Sequence, residues 1–170
     1  KSTMLWHILS STMLWHSTTR LLDWTYSALI ALWFAVKGPP HKDDTGKAED
    51  GVVWVFVPEL EDYRGQEEIV SPLSNKVTKI FRPKVITRRI SSQSGAFTVH
   101  KINDGGKIIP FERHNKFSSK LTKLKIPHTK FPLIRKSLNM LGVNYSTVFP
   151  DIDGLCRHLE WRFSLLKDEE

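Results

Sequence analysis

Cysteine occurs once in this chain, at Cys156, so no internal disulfide can staple it and a reducing, cytoplasmic setting is expected. His158 completes a Cys-x-His pair, but no second pair stands nearby at ligand spacing, and no metal site is expected. Long apolar runs are missing too. The longest, Ala28–Val36, falls far short of the roughly 20 residues that cross a bilayer, so it reads as a buried helix and no membrane partner is expected. No sustained apolar segment followed by a small-residue cleavage site marks a secretory leader. The regular strand–helix alternation and glycine-rich turn of a doubly wound nucleotide fold are absent. His100, His114 and His128 stand at no nucleophile–base spacing, so Ser-His or Cys-His catalysis is not indicated.

Acidic residues are missing over two long stretches. None occurs from Ile69 to Asn103 or from Arg113 to Pro150, whereas Lys and Arg recur through both. With a net charge of +7, this segregation predicts a basic face that could meet nucleic acid, an acidic partner or an anionic ligand such as a dinucleotide pyrophosphate. A plain solvated surface accounts for it equally well, since no nucleic-acid motif accompanies the charge.

What is present fits one domain: 170 residues, 40% hydrophobic and 25% charged, enough to bury a real core. The chain opens on Lys1 rather than Met, which suggests a fragment, and "STMLWH" occurs at Ser2–His7 and again at Ser11–His16. One six-residue repeat is too short for a solenoid unit; a local duplication or cloning artefact is the expected source, and residues 1–18 read as an atypical segment. Arg20–Thr25 reads as a strand, with Thr25 or Ser27 capping a helix to Val36. Lys37–Gly51 is a loop by composition. Val52–Pro58, β-branched and aromatic throughout, reads as a strand buried on both faces. Glu59–Asn75 is polar, with room for a short helix.

Lys79–His100 reads as extended segments around Pro83, with Gly95–His100 a strand that places Phe97 and Val99 on one face. Asp104–Gly106 makes a turn. Lys120–Pro127 alternates as a half-exposed strand, Leu124 and Ile126 against Lys123 and Lys125. Pro132 starts a helix with Leu133, Ile134, Leu138 and Leu141 on one side and Gly142 at its end. Ser146 or Thr147 caps a last helix containing Leu155, Leu159 and Phe163. The fold class is α+β, with a mixed, partly antiparallel sheet and a buried helix after the first motif.

Three stretches carry a family resemblance. "TRLLDWTYSALIALWFAV" resembles the signature of the FRG domain, a family named for a Phe-Arg-Gly motif and common in bacteria and phages; Thr19–Thr25, Ala31, Leu32, Phe34 and Ala35 match its pattern. "RISSQSGAFTVH" resembles a second family stretch through Arg89, Ile90, Gln93, Gly95, Phe97 and Thr98. "VFPDIDGL" resembles a third through Phe149, Pro150, Asp151, Asp153, Gly154 and Leu155. The likeness covers Thr19 to about Trp161, giving an FRG-type domain over residues 19–165 and a charged tail at 166–170. The family's usual Gln-His-Tyr-Gly-Leu-Pro is not found before Thr19, and the naming Arg-Gly motif is expected upstream of Lys1. "YRGQ" at Tyr63–Gln66 stands in the wrong order and reads as coincidence.

The layout is similar to ADP-ribosyltransferase-like folds, in which an Arg and a Ser/Thr hold NAD and a Glu on a late strand steadies the oxocarbenium-like transition state. By that analogy the resemblance implies a nucleotide-like ligand, NAD as a substrate, and an effector of a bacterial or phage conflict system. Thr25 takes the Ser/Thr role and Gln93 the catalytic position, where it can hydrogen-bond a ribose hydroxyl but brings no charge to offset a cation. Arg20, Asp23, Arg88, Arg89 and Gly95 line the pocket, the arginines toward phosphate. A structural reading stands beside each of these. Arg20 and Asp23 pair to lock the corner, Trp24, Trp33 and Phe34 are core, Asp151 or Asp153 caps the last helix, and Gln93 bonds backbone. A non-catalytic binding module with a basic face is the alternative function.

Overall fold

In a computed structural model, which describes residues 5–8, 21–63, 77–81, 88–101, 111–164 and 166–169, the corner motif is a strand followed at once by a helix. The strands are β1 (Leu5–Ile8), β2 (Leu21–Thr25), β3 (Gly51–Phe56), β4 (Lys79–Phe81), β5 (Gly95–Val99) and β6 (Leu121–Ile126). The helices are α1 (Ala28–Val36), α2 (Arg88–Ser92), α3 (Phe131–Met140), α4 (Tyr145–Val148) and α5 (Ile152–Phe163). The strands make one six-stranded sheet in the order β4-β5-β2-β1-β3-β6, and every pair of named strands runs antiparallel. The α+β class therefore holds. Arg20, Arg64–Gln66, Pro83, the Asp104–Gly106 turn and the second STMLWH copy lie outside the described residues.

Alternation along the strands builds one core. Trp24 of β2, Phe56 of β3, Ile80 of β4 and Ala96 of β5 cluster with Phe111 and Phe117, all nearly or wholly buried. Phe111 and Phe117 stack with centroids 4.5 Å apart, and Phe56 meets each of them edge-on. Within this core the Trp24 indole N–H donates to the Thr98 hydroxyl at 3.1 Å, and that hydroxyl lies 3.0 Å from His100 Nε2. The inward residues of β5 are thus Ala96 and Thr98, with Phe97 only half-buried; Val99 is buried as well. In β3 Val53, Val55 and Phe56 are buried while Val52 and Trp54 are only half so, and Val57 beyond the strand is exposed.

α1 is apolar nearly all round, as a helix with protein on several sides should be, and it contacts β1, β2 and β3 as well as α3. Its Trp33 and Val36 join Phe131, Leu138 and Val148 in a second core. Ser27 is the N-cap, its side chain accepting from the Ile30 amide at 3.4 Å.

Three local expectations change. Arg88–Ser92 is a short helix, not extended chain. α3 turns Phe131, Arg135 and Leu138 inward and leaves Leu133 62% and Leu141 66% exposed, because its inward stripe follows i, i+4, i+7 from Phe131. α5 likewise points Leu155, Leu159 and Phe163 outward. Its inward position is Gly154, where an added Cβ would stand 2.0 Å from the Phe149 carbonyl oxygen. Ser146 and Thr147 lie inside α4, which Asn144 caps, and do not cap the last helix; Asp151 caps α5 by accepting from the Gly154 amide at 2.8 Å.

Two charged networks fix the loops. Wholly buried Asp62 accepts from the Glu59 amide and from Lys120, and pairs with Lys116 at 3.1 Å. Burial raises its carboxyl, but Lys120, the amide and Lys116 outweigh that and hold it below the ordinary carboxylate range. Asp62→Ala should therefore cost about 1.5–3 kcal/mol at neutral pH in chemical unfolding, the range for hydrogen bonds to charged groups. The wild-type advantage is full above the unfolded Asp value of about 3.9 and fades as pH falls through the lowered folded value.

Arg135, 3% exposed, makes the second network. Its guanidinium donates to the Val36 and Gly38 carbonyls at 2.8 and 2.9 Å, to Asp168 at 2.8 Å and to Glu169 at 3.1 Å. Arg135 of α3 thus bridges Asp168 and Glu169 to the end of α1.

Candidate functional site

The three motif stretches are far apart in sequence, and the fold brings parts of each to one corner. β2 pairs with β5 so that Thr25 lies opposite Gly95 and Asp23 opposite Phe97. The buried Thr25 hydroxyl donates to the Gln93 carbonyl at 2.7 Å and accepts from the Ser27 amide at 3.0 Å. The Gln93 amide nitrogen and the Ser92 hydroxyl both donate to the Val148 carbonyl at 3.2 Å, tying the second stretch to the third. Phe34, from the end of the first stretch, meets Phe149 from the third edge-on, centroids 5.8 Å apart.

Cations gather on this aromatic pair. The Arg89 guanidinium lies 4.7 Å from the Phe149 centroid, and the Lys37 ammonium 5.2 Å from that of Phe34, distances at which ring quadrupoles attract positive charge. Burial pushes the Lys37 amine below its ordinary range, and the charges of Arg157 and Arg89 push it the same way. Asp23 faces the cluster from β2: burial raises its carboxyl, and Arg89 pulls it partly back. Arg88 stands one residue from Arg89, exposed at the start of α2.

The site residues named from sequence thus separate by what their atoms do. Asp23, Thr25, Arg89, Gln93 and Gly95 share the corner. Thr25 has its hydroxyl engaged in both directions, and Gln93 gives one of its two amide hydrogens to the Val148 carbonyl, so both brace the corner. Lys37 and Arg157 escaped the sequence reading. Lys37 ends the helix of the first motif, and Arg157 lies one turn beyond Asp153 in the third, so extending each motif by one turn would have reached them.

Beside Lys37, a narrow cleft is lined by Trp33, Arg135, Asn139, Asn144, Tyr145 and Trp161, among others. Its volume of about 10 Å³ is room for one water, not for a ring system. The basic face is thinner than the sequence suggested, since Lys116, Lys120 and Arg135 are committed to carboxylates. Among the described residues, no group of three His, Cys, Asp or Glu could hold a metal ion, and no helix is long and apolar enough to cross a membrane.

No curated protein and no solved structure matches the chain. Residues 1–44, which hold Asp23, Thr25, Phe34 and Lys37 of this corner, match the family model of the FRG domain, and there the resemblance carried by the Thr-Arg-Leu-Leu-Asp-Trp-Thr motif is shown.

Proposed function

We propose that the corner binds a nucleotide-like ligand of the NAD type, its phosphates on Lys37, Arg89 and Arg157. The observation that carries this reading is the convergence of the three family-like stretches on one spot where cations meet on the Phe34–Phe149 pair. An anion arriving there would offset the positive charges of Arg157 and Arg89, which add to burial in depressing Lys37, and would find an arginine capable of bidentate phosphate contact. An ADP-ribosyltransferase-like step, as an effector in a bacterial or phage conflict system would use, draws on Asp23, since Gln93 brings no charge to a developing oxocarbenium ion.

Calorimetry with NAD and with ADP-ribose tests it. The wild-type chain should bind, and Arg89→Ala should weaken affinity about 10- to 100-fold, the worth of one charge-assisted contact, with no change in melting temperature. Absence of heat for either ligand at millimolar concentration would sink the proposal. The alternative, contact with nucleic acid, has its best support in β6, where exposed Lys123 and Lys125 stand on the sheet edge; it requires affinity that falls steeply with salt.

A further inference from the structure

β6 ends the sheet: it pairs with β3 on one side, and among the described residues no strand lies on its other side. The Val57 amide donates to the Lys120 carbonyl at 3.0 Å, one step beyond the Phe56–Leu121 pair of the same ladder. Bonded pairs alternate along an antiparallel ladder. Thr122, Leu124 and Ile126 therefore bond β3, while Leu121, Lys123 and Lys125 turn their backbone groups outward. The Leu121 amide already donates to the Ser118 carbonyl. Lys123 and Lys125 are left as successive outward positions with amide and carbonyl both open to an added strand, and both residues are exposed. Their side chains share the face of Trp54, and the Lys123 ammonium lies 5.5 Å from that ring's centroid. Among the described residues neither is within ion-pairing distance of a carboxylate. Asp50, the acid at this end of the edge, is held by the His128 amide and lies 3.0 Å from the His128 ring. Leu124, 39% exposed, projects from the opposite face.

Independently of the corner, we propose that β6 is a docking edge for an extended acidic peptide, which joins the sheet as a further antiparallel strand. Its main chain bonds to Lys123 and Lys125, and its residues opposite those two stand on the same face as the lysines. Acids at those positions meet the two ammoniums, and the residue between them lies over Leu124. The fitting sequence is therefore an acid, an apolar residue and an acid in succession. Two other occupants fit worse. A second copy of β6, laid antiparallel on this edge, sets lysine opposite lysine, which is how edge lysines keep a sheet from pairing with itself. Against acids the same charges attract. A nucleic acid meets the ammoniums through its phosphates but has no alternating amides and carbonyls for the open backbone groups.

The probe is a fluorescein-labelled short peptide of alternating Glu and Val, titrated against the full chain by anisotropy. Binding is expected, and amide hydrogen exchange followed by NMR should slow most at Lys123 and Lys125, not at Thr122 and Leu124, which already bond β3. N-methylating the Glu amides, which face β6, should abolish binding, and N-methylating the Val amides should leave it. Lys123→Ser combined with Lys125→Ser should weaken affinity about two- to thirtyfold, the worth of two exposed ion pairs, with the wild-type circular dichroism. No anisotropy change at millimolar protein would overturn the proposal. So would equal binding of the two methylated peptides, because charge would then act without strand addition. A single-stranded oligonucleotide that displaces the peptide, while the Lys123 and Lys125 amides still exchange freely, would assign the lysines to nucleic acid and overturn it as well.

Discussion

Arg135→Ala is expected to destabilise the fold by about 3–5 kcal/mol, the range for breaking a buried ion pair by removing one partner. The melting temperature should drop by roughly 6–20 °C for a chain of this size. The loss is large because one guanidinium satisfies four groups from two distant parts of the chain: the Val36 and Gly38 carbonyls at the end of α1, and the carboxylates of Asp168 and Glu169. Removing it strands two carboxylates, one of them 4% exposed, together with two carbonyls. Arg135→Met combined with Asp168→Asn and Glu169→Gln removes the stranded charges and should recover a good part of the loss. Equal losses in the single and triple variants would count against this account.

The same network has an acid-side signature. Burial alone would raise the Glu169 carboxyl, but the Leu166 amide and Arg135 outweigh it and hold it below its ordinary range. Its contribution is therefore full above the unfolded value of about 4.3 and is lost as pH falls through the lowered folded value. Unfolding of wild type at pH 7 and pH 3 should show that slope, and Arg135→Ala should flatten it.

Gly154→Ala tests a different kind of close fit. Helix propensity alone predicts a gain of about 1 kcal/mol for this change inside α5. The local geometry predicts the opposite, because the new Cβ would lie 2.0 Å from the Phe149 carbonyl oxygen and 2.8 Å from its Cβ. The first obstacle is backbone, so no rotamer change relieves it, and α5 must shift against α4. A net loss of about 3 kcal/mol or more is expected in urea titration, at or beyond the upper range for overpacking. Phe149 also holds Arg89 and Phe34, so any affinity for ADP-ribose at the site proposed above should fall in the same variant. A variant as stable as wild type would show that the helix propensity wins.

How much of this was readable beforehand depended on how local each cause is. The β2–α1 corner, β3, β5, β6 and the start of α3 announce themselves through alternation, an apolar run and Pro132, all of which act within a few residues. The inward faces of α3 and α5 do not. Their apolar stripes suggest burial of Leu133, Leu155 and Phe163, yet a buried Arg135 and a backbone contact at Gly154 decide the rotation of each helix. Arg135 itself was hidden among lysines in an acid-free stretch, where its acidic partners come from the far end of the chain. At the corner, the motifs name Asp23, Thr25, Gln93 and Arg89, which the fold brings together. They do not name Lys37, because its approach to Phe34 and Arg89 is a tertiary fact with no sequence period.

The place of Leu5–Ile8 carries a consequence for handling the protein. This four-residue strand sits between β2 and β3 and pairs with both. Removing a strand from the edge of a sheet costs a fringe; removing this one opens the sheet through its middle. A three-stranded ribbon of β4, β5 and β2 would face a two-stranded ribbon of β3 and β6 across a gap, with unpaired amides and carbonyls along both new edges. Two strands alone are marginal in water, and open edges invite pairing with other chains. Shortened versions of this protein should therefore fail first by aggregation, and only secondarily by any loss at the corner.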